Sequence, residues 1–124
     1  LYVLRRHTMK EAKMASRVYV TQEANLNFTP AEKYGEVTFL TRDDLVNTKG
    51  SLHNEEVLAS IAFKLKGYDP QQDWLVVAGS PYVSAAVFMI LGRMGHRSIR
   101  ILRWDNRDFV YVPMYLDLRS TDHV

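Results

Sequence analysis

The residues best placed to do chemistry form a short junction, Gly79-Ser80-Pro81, between two apolar runs. The run before it, WLVVA, is typical of a buried strand, and the run after it has the spacing of a helix. Ser80 fits the N-cap of that helix and Pro81 its first position. Free backbone N–H groups at a helix start are able to bind an anion. Because every such junction also needs a cap, we expect capping to be the main role of Ser80.

The sequence gives no support for a catalytic assignment. Ser80 does not stand in a G-x-S-x-G elbow, and the junction is neither a Walker loop nor a three-glycine dinucleotide motif. The four histidines lack metal-ligand spacing, and the chain has no cysteine. The Asp43-Asp44 pair offers oxygen ligands but suits a loop or a cap better. We therefore predict no metal and no cofactor, and leave catalytic residues unassigned.

Strands and helices alternate along the chain in the predicted order β-α-β-α-β-α-β-β. Strands are predicted at residues 16–21, 36–41, 74–78, 98–104 and 109–118, and the longer helices at residues 54–66 and 81–94. Pro113 cannot donate to a ladder, so the last strand lies at an edge. A short turn joins it to the strand before, which predicts a hairpin. The fold class is therefore α/β, with a three-layer, mostly parallel sheet of about five strands and an antiparallel C-terminal edge hairpin.

The sequence also makes one specific prediction for each of the three helices. Thr29 and Glu32 form a capping-box pattern, which predicts Thr29 as the N-cap of a short helix that ends before Gly35. The helix at residues 54–66 carries a predicted buried stripe of Leu58, Ile61, Ala62 and Leu65. The helix after Ser80 is apolar nearly all round, which predicts that it is well buried.

Ligands of open parallel sheets bind beyond the carboxyl ends of the strands. The candidate ligand-binding residues at that edge are Gln22, Glu23, Arg42, Asp43, Gly79, Ser80, Trp104 and Asp105. A small-ligand or nucleotide-handling domain that uses the Gly79-Ser80 helix start is therefore one predicted function.

Positive charge concentrates near the last hairpin, where five arginines fall between residues 93 and 107. The candidate interface residues are Arg100, Arg103, Tyr111 and Tyr115. Arginine beside aromatic rings suits a protein partner or single-stranded nucleic acid. A solvated hairpin whose arginines pair with Asp105, Asp108 and Asp117 is the slightly favoured alternative to binding. The whole chain has a net charge of +2, but residues 1–13 alone carry +3, so residues 14–124 carry −1. Because the domain itself is not basic, a protein partner ranks above nucleic acid.

The chain is predicted to comprise a flexible basic leader, residues 1–13, and a single α/β domain, residues 14–124. Met14 fits a natural start. The longest apolar run, residues 85–91, is too short for a bilayer-spanning segment, so no membrane partner is predicted.

Three segments resemble a group of small uncharacterised proteins encoded in phage genomes: VYVTQEANLNFTPAEKYGEVTFLT, DWLVVAGSPYVSAAVFMIL and IRILRWDNRDFVYVPMYLDL. The resemblance covers residues 17–118. It implies an accessory phage protein in a bacterial cytoplasm and implies no reaction. Together with the unpaired edge strand, it predicts a non-enzymatic protein that binds a host or phage macromolecule, as a homo-oligomer formed through that edge. The nucleotide-handling domain and the single-stranded nucleic-acid binder stay open as alternatives.

Overall fold

One mixed sheet organises the computed structural model, which describes residues 15–121. Its strands are β1 (Arg17–Val20), β2 (Glu36–Phe39), β3 (Trp74–Val76), β4 (Ser98–Asp105) and β5 (Val110–Asp117). They lie in the order β2-β1-β3-β4-β5, with parallel pairing up to β4 and antiparallel pairing of β4 with β5. The predicted α/β class and edge hairpin are therefore confirmed. The predicted leader, residues 1–13, lies outside the described residues.

Two layers of helix cover the sheet unequally. The helices α1 (Leu52–Lys64) and α2 (Pro81–Arg93) pack on one face, where their apolar side chains join those of β1, β3 and β4. A short 3-10 helix, η1 (Thr29–Tyr34), packs on the other face. The connection from β1 to β2 runs across the sheet in the opposite direction to the later connections. Right-handed crossovers therefore place η1 and the α-helices on opposite faces.

The start of η1 differs from the predicted capping box. Phe28, not Thr29, occupies the N-cap position, and no side chain caps the helix. The Thr29 backbone N–H instead donates to Asn27 Oδ1, at 3.0 Å. This local Asn turn supplies an acceptor that the capping box would otherwise provide. Gly35 follows the helix as predicted, and a Cβ there would collide with the carbonyl oxygen of Ser16.

The buried face of α1 is rotated relative to the predicted stripe. Its buried residues are Val57 and Ile61, and Leu65 follows in a one-turn 3-10 helix, η2 (Leu65–Gly67). Leu58 is exposed, so its assignment to the stripe was wrong. Positions 57, 61 and 65 satisfy helical spacing as well as the predicted set does. Packing against the sheet decides between the two faces.

The helix α2 has the predicted ends, and the predicted burial on one of its two sides. Ser80 Oγ accepts from the Tyr82 backbone N–H at 3.2 Å, and Gly95 follows the end with φ 91°. One side of the helix is nevertheless exposed, at Tyr82 and Met89 in particular. Because α2 belongs to an outer layer, the sheet and α1 cover only its inner side. The prediction that α2 is well buried therefore holds for its inner side, where six residues are buried, and fails for its outer side.

A buried carboxylate, Asp73, holds the amino ends of the two central strands together. Its Oδ1 accepts from the Arg17 backbone N–H and its Oδ2 from that of Asp69, both at 2.8 Å. Asp73 is fully buried and stands directly before β3, whose Trp74 pairs with Val18 of β1. A buried carboxylate must have such partners, because leaving it without hydrogen bonds is costly. Asp73 therefore sets the spacing of β1 and β3 where they begin.

We expect Asp73→Ala to lower the free energy of unfolding by about 2–4 kcal/mol, because two partly buried backbone hydrogen bonds lose their acceptor and the space of a fully buried side chain is left empty. Urea unfolding followed by circular dichroism measures this loss. Asp108→Ala is the matched control: Asp108 is exposed, and its substitution should cost less than about 0.5 kcal/mol. Similar losses for the two variants would show that Asp73 does not have this structural role.

Candidate functional site

The predicted ligand residues form two groups at the carboxyl edge of the sheet. The first group surrounds the ends of β1, β2 and β3 and contains Gln22, Glu23, Arg42, Asp43, Gly79 and Ser80. The second lies at the far end of β4 and contains Trp104 and Asp105. The first group is held together by polar contacts, whereas Trp104 of the second group lies beside an apolar cleft.

In the first group, the side chain of Gln22 fills the space between the loops. Its Oε1 accepts from the Ser80 backbone N–H at 2.6 Å, and its Nε2 donates to the Asp43 carbonyl oxygen at 3.0 Å. Gly79 has φ 78°, and a Cβ there would collide with Gln22 Oε1. Strand order reverses between β1 and β3, which is where doubly wound sheets bind ligands. Here the N–H group at the helix start already has an acceptor from the chain.

Thr21 closes the same crevice from below. Its hydroxyl donates to the Ala78 carbonyl oxygen at 2.7 Å and accepts from the Ala78 backbone N–H at 2.9 Å. Ser84 of α2 donates to the same hydroxyl, at 3.3 Å. All three residues are buried. The segment between β3 and α2 is therefore attached to the end of β1 by buried hydrogen bonds.

Glu23 and Arg42 form an ion pair on the outer surface of this group, with 3.1 Å between Glu23 Oε2 and Arg42 Nε. Both side chains are exposed, so the pair contributes little to stability. The Asp43 backbone N–H donates to Thr41 Oγ1 at 3.0 Å. The ion pair joins the loop after β1 to the loop after β2, and the second contact shapes the loop after β2 itself.

An apolar cleft opens on the other side of β3. The strand β3 pairs with β4 at Leu75 and Ile101, but β4 continues to Asp105 while β3 ends at Val76. The space beside this extension, which we call the edge cleft, has a volume of about 790 Å³. Its lining comes from the loop before η1, the end of β3, α2 and the hairpin: Leu26, Asn27, Phe28, Pro30, Val76, Val77, Ala78, Phe88, Ile101, Leu102, Arg103, Trp104, Phe109, Tyr111, Met114 and Leu116.

Aromatic rings form one wall of the edge cleft. The Trp104 ring centroid lies 4.9 Å from that of Tyr111 and 6.4 Å from that of Phe109. Trp104 Nε1 donates to Asn106 Oδ1 at 2.8 Å, which fixes the indole. Burial raises the pKa of Tyr111, so its hydroxyl stays protonated at neutral pH. Trp104 was predicted as a ligand residue and Tyr111 as an interface residue, and the structure brings the two together.

Phe109 is a cleft residue that the sequence analysis missed. It ends the turn between β4 and β5 with φ 54°, a left-handed conformation that is unusual for a bulky residue. Its ring is 69% exposed. The sequence did contain a signal for this residue: Phe109 directly follows the turn-forming segment D-N-R-D, and the last residue of a hairpin loop lies at the tip of the hairpin.

Two predicted interface residues, Arg100 and Tyr115, lie toward the other end of β4 and β5. The Arg100 guanidinium carbon lies 3.7 Å from the centroid of the Trp74 ring, and Arg100 Nη1 donates to the Gln71 carbonyl oxygen. Tyr115 contacts the same tryptophan, with 6.1 Å between ring centroids. Arg100 is thus part of the packing around Trp74 and not of the edge cleft.

Arg103 and Arg107 lie beside the cleft and do not form the expected ion pairs. Among residues 15–121, neither guanidinium pairs with Asp105, Asp108 or Asp117. Asp105 Oδ1 instead accepts from the Arg107 backbone N–H at 2.8 Å. Asp117 pairs with Arg119 at 2.7 Å, and hydrogen bonds from Arg119 lower the pKa of Asp117 to about 2. Asp105 therefore binds the backbone and Asp117 binds Arg119, while Arg103 lines the cleft and Arg107 lies beside Trp104 at its margin.

The described part of the chain lacks a metal cluster and a membrane-spanning helix. No group of three or more His, Cys, Asp or Glu side chains there could hold a metal ion. None of the helices within residues 15–121 is long and apolar enough to cross a membrane.

The chain is similar to one protein family. The family model described as Phage Pam3 gp32-like protein matches residues 16–118. The matched range includes all five strands, both α-helices and every residue that lines the edge cleft. This match confirms the phage origin that the sequence resemblance predicted. No curated protein and no solved structure matches the chain.

We expect Gly79→Ala to lower the free energy of unfolding by about 2–4 kcal/mol, because it combines an unfavourable φ with a collision against Gln22. Gly50→Ala is the matched control: Gly50 also has a positive φ, 72°, but a Cβ there meets nothing within 4 Å. That variant should lose only about 1 kcal/mol.

Chemical denaturation of both variants in the wild-type and Gln22→Ala backgrounds separates the two effects. In the Gln22→Ala background, the loss at Gly79 should decrease but stay above that at Gly50, because the collision with Oε1 is removed while the Cβ of residue 22 still lies 2.9 Å from the added Cβ. A loss at Gly79 that is unchanged by removing Gln22 would contradict the close contact.

Proposed function

We propose that this chain, which belongs to the Phage Pam3 gp32-like protein family, acts by binding a protein partner through the edge cleft. The family makes it a phage protein, and the cleft carries the rest of the proposal. A volume of about 790 Å³ lies within the range of ligand-binding clefts, about 300–1,000 Å³. A cleft of this size accepts one or two bulky apolar side chains of a partner.

The lining of the cleft supports recognition by contact. Among its described residues, side chains of Asn27 and Arg103 are the most polar, and there is no carboxylate, imidazole or aliphatic hydroxyl group. Apolar and aromatic walls with few polar groups are typical of sites that bury an apolar ligand group. The rigid rings of Trp104 and Tyr111 lose little conformational entropy when a partner binds.

The charges around the cleft favour a protein segment over nucleic acid. Arg103 and Arg107 alternate along the hairpin with Asp105 and Asp108, so the rim has both signs of charge. A polyanion requires an excess of positive charge, whereas a mixed polar rim around an apolar centre is typical of protein interfaces. Residues 14–124 have a net charge of −1, which also disfavours a polyanion.

The conformation of Phe109 gives independent support. A left-handed backbone at a bulky residue costs about 1–3 kcal/mol. The exposed ring gains little from folding that would offset this cost. A partner that covers the ring would supply the missing apolar contact. Strained residues of this kind occur at binding sites because the surrounding structure holds them for a partner.

We expect Val77→Glu to weaken binding strongly, because Val77 lines the cleft and a carboxylate covered there by an apolar side chain would lose its water without gaining a hydrogen-bond partner. The probe is the set of peptides selected from a random display library on the immobilised wild-type chain. Peptides with bulky apolar residues should be enriched, and Val77→Glu should weaken their affinity about thirty-fold or more, as at a hot spot of about 2 kcal/mol.

Val46→Glu is the matched control for this experiment. Val46 is 45% exposed and Val77 49%, and Val46 lies outside the cleft. Its substitution should leave peptide affinity unchanged. Equal binding by the two variants would refute the cleft as the site. Tighter binding of a single-stranded oligonucleotide than of any selected peptide would replace the protein partner by nucleic acid.

Phe109 should show opposite effects on stability and on binding. Phe109→Gly relieves the backbone strain and should raise the free energy of unfolding by about 1 kcal/mol. The same substitution removes the ring and should weaken peptide affinity about tenfold. Phe109→Ala is the matched variant that removes the ring and keeps the strain. It should lose affinity equally without the gain in stability, as measured by urea unfolding and by titration with a selected peptide. Full affinity in either variant would exclude Phe109 from the binding surface.

A further inference from the structure

The outer side of α2 is an apolar surface that the rest of the described chain leaves uncovered. Tyr82, Ala85, Met89 and Gly92 all lie on it and are exposed, and Met89 retains 76% of its accessible surface. Their spacing places them on one helix face. No charged residue occurs between Pro81 and Gly92. An exposed apolar helix face of this kind marks an interaction surface; we call it the α2 stripe.

We propose that the α2 stripe is the interface of a homodimer, in which two copies of α2 pack antiparallel about a two-fold axis. The axis lies midway between Ala85 and Met89. Met89 of each copy then lies opposite Ala85 of the other, and Tyr82 opposite Gly92. Each large side chain meets a small one, as a two-fold interface requires, because one surface must be complementary to itself. The α2 stripe shares no residue with the edge cleft, and this proposal does not depend on the proposed function.

Gly92 gives a second, independent reason for this pairing. Glycine inside a helix is less favourable than alanine or any other ordinary residue except proline. A Cβ at Gly92 would meet nothing within 4 Å, so the fold of one chain does not require a glycine there. Close approach of another side chain does require it. In the proposed dimer, the Tyr82 ring of the other copy occupies the space above Gly92.

The charges at the two ends of α2 also fit an antiparallel pair. Near the N-terminal end lies the loop after β2, since Gln22 hydrogen bonds to both Ser80 and the Asp43 carbonyl oxygen. This loop carries Asp43 and Asp44, and its Arg42 is paired with Glu23, so the acidic charge is in excess there. The C-terminal end and the turn after it carry Arg93 and Arg97. Antiparallel packing brings the acidic end of each copy toward the basic end of the other, which is complementary. A parallel pair would bring like charges together.

The first test is the molar mass of the full chain by sedimentation equilibrium over a dilution series. We expect a reversible dimer for the wild type. Met89→Glu and Gly92→Met should be monomers with unchanged helicity, because the first buries a charge at the interface and the second fills the space for Tyr82. Phe63→Glu is the matched control, since Phe63 of α1 is 71% exposed and lies off the stripe. It should remain a dimer.

The second test reports the pairing itself. The chain has no cysteine, so Ala85→Cys and Met89→Cys each carry a single thiol. When the two variants are mixed and oxidised, the disulfide between position 85 of one and position 89 of the other should exceed either homodimer severalfold. Intact mass spectrometry distinguishes the three products.

Three results would each overturn the proposal. A wild-type chain that is monomeric at every concentration leaves no dimer to explain. A dimer that persists in both Met89→Glu and Gly92→Met, but dissociates in Tyr115→Lys, assigns association to the edge strand β5. Disulfide products in statistical proportions exclude the antiparallel register.

Discussion

The contact between Gln22 and the Gly79-Ser80 backbone determines how the carboxyl edge of the sheet can be used. Three loops meet there, and one amide side chain hydrogen bonds to two of them from the third. This is possible only because Gly79 has no side chain and tolerates a left-handed backbone. The crevice in which doubly wound sheets bind ligands is thereby filled by the protein itself. The open space lies one strand further along, beside the extension of β4.

Buried polar groups hold this arrangement at both ends of the central strands. Thr21 attaches the segment after β3 to the end of β1, and Asp73 joins the beginnings of the same two strands. Such groups are costly to bury unless each hydrogen bond is made, so they tolerate few alternative positions. Near the far end of the hairpin, the Tyr34 hydroxyl donates to the Tyr111 carbonyl oxygen at 3.1 Å, while the turn at residues 106–109 hydrogen bonds within the hairpin itself. This arrangement leaves the ends of β4 and β5 to form the wall of a cleft.

The arginines and aromatic residues of the hairpin divide into two roles. Arg100 packs on Trp74 with a donated hydrogen bond, which is a structural role within one chain. Arg103 borders the cleft, where Trp104 and Phe109 form the wall. Alternate residues of a strand face opposite sides of the sheet, so neighbours in sequence have unlike surroundings. A cluster of arginines in the sequence is therefore not one patch on the surface.

The sequence by itself determined the features that depend on neighbours a few residues apart. Alternation of apolar runs predicted the α/β class, Ser80 and Gly95 predicted the ends of α2, and Pro113 predicted an edge strand. Only the tertiary structure decided that Val57 and not Leu58 belongs to the buried side of α1. The tertiary structure alone also showed that Gln22 reaches Ser80 across 58 positions and that Phe109 joins Trp104 in one cleft. Caps and strand ends follow from local backbone geometry, which short segments specify. Contacts between distant residues depend on how the layers pack, and helical spacing alone allows more than one packing.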